Sequence, residues 1–201
     1  MPSLLCLPGA SGRAAFWAPV AARLTDLGPA TRLGWPGFAA EPADPSIGSL
    51  DQLFVWLLAR LPPGESDVLA QSMGGVLALR LALERPERVR RLVLTATSGG
   101  LDVASLGAAD WRPEHHAAQP DAPPWFIRDR TDLSARLGEV RARTLLLWSD
   151  ADPFSPLAVG RTLQARLPDA RLEVIPGGDH SFAENRADEV AAAVRRFLGA
   201  P

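Results

Sequence analysis

The sequence predicts an α/β fold, a mostly parallel sheet flanked by helices on both faces. Short apolar runs around Leu4–Leu7, Val68–Ala70, Leu92–Leu94 and Leu145–Trp148 are continuous rather than alternating, as strands buried on both faces require. Between them apolar residues return at helical spacing, and the alternation of the two patterns demands crossover connections. At 201 residues the chain favours one domain. A chain of that size buries roughly 70% of its unfolded surface, so one full core needs no staple.

Ser3 to Leu7 reads as a buried strand that ends in the tight loop Pro8-Gly9-Ala10-Ser11-Gly12. A helix follows with Phe16, Trp17, Val20, Ala21 and Leu24 on its core face, stopped by Gly28-Pro29. Ala30 to Trp35 is a second strand closed by Pro36-Gly37-Phe38, and a proline-rich loop runs on to Ser46. Leu50, Leu53, Phe54, Leu57, Leu58 and Leu61 mark a helix, with Pro62-Pro63-Gly64 as its stop. Val68 and Leu69 lead abruptly through Ser72 into a buried helix carrying Val76, Leu77, Leu79, Leu81 and Leu83. Arg91 to Thr95 is the next strand. The pattern then fails across residues 98–138, a stretch rich in proline and tryptophan and too long for an ordinary connection, so a lid or cap is expected there. Thr144 to Trp148 is a strand, Leu157 to Leu167 a helix, Arg171 to Ile175 a strand and Glu184 to Leu198 a final helix.

Twenty-one basic residues, all arginine, stand against 23 acidic ones, and the net charge of -2 gives no electrostatic reason to expect a nucleic acid or an anionic membrane as partner. Cys6 is the only cysteine, which rules out an intrachain disulfide and suits a reducing compartment. No apolar stretch approaches the roughly 18 residues of a membrane span, and the N-terminus lacks a signal pattern, so a cytoplasmic location is expected.

In a parallel sheet, chemistry collects where the loops leave the carboxyl ends of the strands. The stretch Ala70-Gln71-Ser72-Met73-Gly74 places a serine on a sharp strand-to-helix turn, with small residues two positions either side so that the strained turn can close. A serine hydroxyl needs a base within hydrogen-bond reach, usually a histidine oriented by a carboxylate. Of three histidines, His180 follows a strand and a glycine pair in Gly177-Gly178-Asp179-His180, and it is the expected base. His115 and His116 lack a third ligand at sensible spacing; they read as surface residues, and neither a metal nor another cofactor is expected. For the carboxylate, Asp152 has the offset from the strand end that lets its loop reach across. Asp150 reads as a turn residue, and Asp179 as solvent-facing.

The chain resembles the α/β-hydrolase superfamily over essentially its whole length. The elbow at Ser72, the acid loop Trp148-Ser149-Asp150-Ala151-Asp152-Pro153 and the segment Gly178-Asp179-His180-Ser181 stand in that family's order of Ser, Asp, His. The resemblance implies that Ser72 attacks, His180 shuttles the proton and Asp152 fixes the imidazole. It also implies an oxyanion hole made by the backbone N–H groups of Met73 and Ala10, although this chain has Pro8 where the family carries a histidine. Trp35, Trp111, Trp125, Phe126 and Phe154, with Phe38 and Ile127, are candidates to line an apolar acyl or alcohol site. The expected function is a serine hydrolase of small to medium carboxylic esters, acting on a small-molecule substrate through an acyl-enzyme. The competing readings are a C–C bond hydrolase, a lyase or synthase that uses the same triad without water, or a non-catalytic ligand receptor on the same fold. Oligomeric state leaves no mark in these residues.

Overall fold

Six strands, β1 (Ser3–Leu7), β2 (Ala30–Arg32), β3 (Ser66–Gln71), β4 (Val89–Thr95), β5 (Arg143–Ser149) and β6 (Ala170–Ile175), make one sheet in a computed structural model that describes residues 3–199. The order is β2-β1-β3-β4-β5-β6, and every neighbouring pair is parallel. The helices are α1 (Ala18–Ala21), α2 (Leu50–Leu58), α3 (Met73–Glu84), α4 (Arg112–Ala118), α5 (Trp125–Arg128), α6 (Leu157–Arg166), α7 (Phe182–Asn185) and α8 (Ala187–Gly199).

The sheet divides the interior in two. Leu4, Cys6, Leu69, Val93, Leu145 and Leu147 face a core completed by Phe16, Trp17, Val20 and the α8 residues Val190, Val194 and Phe197. Their neighbours Leu5, Leu7, Val68, Leu92, Leu94, Leu146 and Trp148 face the opposite core, shared with α2, α3, α6 and Phe126. Successive strand residues point to opposite faces, and both faces are covered, so the middles of the central strands are apolar and their buried polar residues, among them Asp67, Gln71, Thr95, Thr144 and Ser149, stand near the strand ends. Each fully buried leucine contributes about 1.5–3 kcal/mol relative to an exposed one. Cys6 lies wholly inside, and burial pushes its thiol up to about 12.

Three elements differ from the sequence reading. The first helix is broken into a 3-10 turn at Ala14–Trp17, the single turn α1, and a second 3-10 turn at Thr25–Leu27. Pro19, near the start of α1, has no N–H to continue the ladder, so the helix restarts there, while Phe16, Trp17, Val20 and Leu24 are still buried. The second strand stops at Arg32, and Trp35 turns inward instead of extending it. The final helix is split at Arg186, at φ -119 and ψ 46. That side chain bonds the Pro176 carbonyl and Glu189, which ties the break to the loop after β6.

The excursion holds α4 and α5. Its base is closed by Leu133 N–H on the Gly100 carbonyl at 3.0 Å, and Gly100 sits at φ +76 with the Leu133 backbone against it, leaving no room for a side chain. Ala109 N–H bonds the Pro153 carbonyl at 2.8 Å, so this excursion is fastened to the loop after β5.

Candidate active site

Ser72 occupies the turn between β3 and α3 at φ +50 and ψ -118, a conformation that costs of order 1–3 kcal/mol and persists only when its surroundings impose it. Here they do. Ser72 N–H bonds the Thr95 carbonyl at 3.0 Å, and Thr97 Oγ1 donates to the Ser72 carbonyl at 2.6 Å. A side chain at Gly74 would run into the carbonyl oxygens of Leu7 and Pro8, and one at Gly75 would run into Thr97. The methyl of Ala70, where the family motif has glycine, is accommodated inside the core facing Leu94.

His180 leaves the end of β6 and lies between the other two side chains. Its Nε2 is 3.1 Å from Ser72 Oγ, and its Nδ1 is 2.8 Å from Asp152 Oδ2. A carboxylate only accepts, so Nδ1 carries the proton and Nε2 is left to accept from the serine hydroxyl. The Asp152 side chain has no solvent exposure, and its other oxygen accepts the N–H groups of Phe154 at 2.8 Å and Ser155 at 3.2 Å. Gln71 Nε2 donates to the His180 carbonyl at 3.1 Å, and Ser149 Oγ donates to the Gly178 carbonyl; between them they anchor the histidine loop. Phe154 stands edge-on to the imidazole, ring centres 5.5 Å apart. Asp150 is exposed and accepts Gly177 N–H at 2.6 Å, while exposed Asp179 accepts Ser181 N–H at 2.8 Å at the start of α7.

The loop Pro8–Gly12 abuts the serine, since a Cβ on Gly9 would sit 2.9 Å from Ser72 Cβ. The Gly9 carbonyl accepts Gly12 N–H at 3.0 Å, and in a trans peptide this turns the Ala10 N–H the opposite way. Neither the Ala10 nor the Met73 N–H has an acceptor among the described residues. Pro8 removes the histidine brace of the family motif, and two indoles stand in for it. Trp17 Nε1 donates to the Leu7 carbonyl at 2.9 Å, and Trp35 Nε1 donates to the Pro8 carbonyl at 3.0 Å. Trp35 also sends its backbone N–H to the Gly12 carbonyl at 2.9 Å, holding both ends of the loop.

The aromatic candidates divide. Trp35 is fully buried in the core, so it does not line an open site; its partners make it a loop brace instead. Trp111, Trp125 and Phe126 gather on Phe38, with ring centres 4.8 Å apart for Trp111–Phe126, 5.7 Å for Phe38–Phe126 and 6.0 Å for Phe38–Trp125. Ile127 packs beside them, half-buried, and Phe154 alone touches the histidine. His116 is exposed, but His115 is half-buried against Trp111 and Phe126 rather than free on the surface. Burial lowers its pKa, with a smaller push from His116. Among the described residues no group of three or more His, Cys, Asp or Glu is placed to hold a metal ion.

The sequence model for the alpha/beta hydrolase fold matches residues 2–115. The chain belongs to this family. It is 28% identical to a pimeloyl-(acyl-carrier protein) methyl ester esterase of Nitrosomonas europaea, with 90% of this chain and 89% of that protein covered. It is 26% identical to a 2-hydroxy-6-oxo-6-phenylhexa-2,4-dienoate hydrolase of Burkholderia cepacia, with 95% and 84% covered. A hydrolase from Pseudomonas aeruginosa PA01 shares the fold at TM-score 0.77 and 24% identity, covering 99% of this chain and 90% of that one. Alignment with the esterase runs over 226 positions, more than the 201 residues of this α/β hydrolase, so the relative carries segments that this chain lacks.

Trp17, Gln71 and Gln119, which bonds the Ala10 carbonyl, escape a reading of the sequence as site residues. Each acts on a backbone atom outside its own element, and for Gln71 and Gln119 that atom lies 109 residues away. Only Gln71, next to the elbow serine, carries a positional signal that points to the site.

Proposed function

We propose that this α/β hydrolase is a serine hydrolase of small to medium carboxylic esters. The observation that carries the proposal is the unbroken relay from Ser72 Oγ through His180 to Asp152, with contacts of 3.1 and 2.8 Å. Ser72 Oγ attacks the ester carbonyl carbon as its proton passes to His180 Nε2, and buried Asp152 stabilises the imidazolium that forms. The tetrahedral oxyanion is received by the N–H groups of Met73 and Ala10, the former at the start of α3, where the helix dipole favours negative charge. Collapse expels the alcohol, which takes the proton from His180, and leaves an acyl-Ser72. Water, deprotonated by His180, then attacks the acyl carbon, and as the acyl–oxygen bond breaks His180 returns that proton to Ser72 Oγ, which releases the acid and restores the serine.

The esterase relative supports the ester reading, and the aromatic cluster in the cap supports an apolar substrate portion. A ligand receptor needs no such relay, which sets that reading behind. The test is labelling by a fluorophosphonate together with hydrolysis of nitrophenyl esters of increasing acyl length. Wild type is expected to be labelled and to turn over, whereas Ser72→Ala and His180→Ala are expected to do neither. A folded wild type that resists the label and leaves the esters intact refutes the reading.

A further inference from the structure

Gln119 follows the last turn of α4, far in sequence from the loop it touches. Its Nε2 donates to the Ala10 carbonyl at 3.3 Å, and its Oε1 accepts the Ala39 N–H at 3.3 Å. One partner only accepts and the other only donates, so a single orientation of the amide satisfies both. The loop Pro8–Gly12 is held at its ends by Trp35 and across its turn by the Gly9–Gly12 bond. Between them lies the Ala10–Ser11 peptide. Its carbonyl has Gln119 as its only partner among the described residues, and the buried Ser11 hydroxyl beside it has none. At the other end of the same cap segment, Ala109 is fastened to Pro153, next to Asp152. Residues 109–119 therefore run between the loop of the proposed oxyanion donor and the loop of the proposed triad carboxylate.

We propose that Gln119 is a positioning residue that sets the Ala10 N–H for the oxyanion and so couples the placement of the cap to turnover. The inference rests on the esterase reading above. Removing Gln119 leaves the donor in existence but frees the peptide next to it, so the loss falls short of deleting a donor outright. It appears in the transition state more than in ground-state binding.

The experiment compares the wild-type chain with Gln119→Leu and Gln119→Glu on a nitrophenyl ester, alongside inhibition by a boronic acid that forms a tetrahedral adduct on the serine. The leucine variant is expected to lose about tenfold in kcat with KM within about twofold, and to bind the boronic acid weaker by the same factor. The glutamate variant keeps the acceptor for Ala39 but sets a carboxylate against the Ala10 carbonyl, so it is expected to lose at least as much. Both variants are expected to melt where wild type does. Variants that match wild type in kcat, or that change only in KM or melting temperature, overturn the inference while the esterase reading stands. A wild type that is neither labelled nor active removes both together.

Discussion

Both oxygens of Asp152 are engaged, one by the imidazole and the other by two backbone N–H groups. An asparagine there must aim its amide hydrogens either at the N–H pair or at His180 Nδ1, and the second choice forces the wrong tautomer. Asp152→Asn is expected to keep the fold and lose roughly ten thousand-fold in kcat, read from single-turnover hydrolysis. Gly74→Ala tests the elbow instead, because its new methyl meets the Leu7 and Pro8 carbonyl oxygens, which are backbone and cannot swing aside. A loss of about 1–3 kcal/mol in denaturant unfolding is expected, with activity falling further as the loop before Ala10 is displaced. Ser72, His180 and Asp152 were legible because each follows a strand end, where side chains of a parallel sheet converge. Trp35 was not, since an aromatic beside a strand end reads the same whether it faces a pocket or turns inward to a carbonyl 27 residues away.

Among the elements, the excursion over residues 98–138, the proposed cap, carries the least regular pattern and the most unusual chemistry. His115 lies in α4 between Trp111 and Phe126, with Nε2 buried and without a partner. Burial lowers its pKa, so the folded cap refuses a proton that the unfolded chain accepts. The stability this gives is full above the ordinary histidine pKa and is lost as pH falls through the lowered one. Protection factors of the α4 amides, taken relative to the intrinsic exchange rate at each pH, are therefore expected to fall as the solution is acidified through that window, and His115→Phe is expected to abolish the trend, as followed by hydrogen exchange. The excursion was visible in the sequence as an interruption of the strand–helix rhythm. Its two short helices were not, because proline and isolated tryptophans set no period. The broken first helix escaped for a related reason: apolar spacing through Phe16, Trp17, Val20 and Leu24 survives the interruption at Pro19, so pattern alone cannot register it.

Over the whole molecule, the sheet is a partition with a filled core on each side. Leu146 and Leu147 are adjacent in β5, fully buried, and belong to opposite cores. Leu146→Ala and Leu147→Ala are each expected to cost about 2–5 kcal/mol in denaturant melts. Comparable losses from neighbours pointing opposite ways would show that both layers carry the fold. This architecture was the most legible level, because burial on two sides leaves continuous apolar strands that no other arrangement of the same elements requires.

The same partition gives Cys6 a use. Sulfur reacts as the anion, and a thiol held at about 12 inside the central sheet presents almost none at neutral pH. The native chain should thus ignore iodoacetamide and need no reductant in storage. Each alkylation of the thiol would mark a molecule that had come apart, so a timed pulse of the reagent followed by mass spectrometry turns this solitary thiol into a counter of global opening.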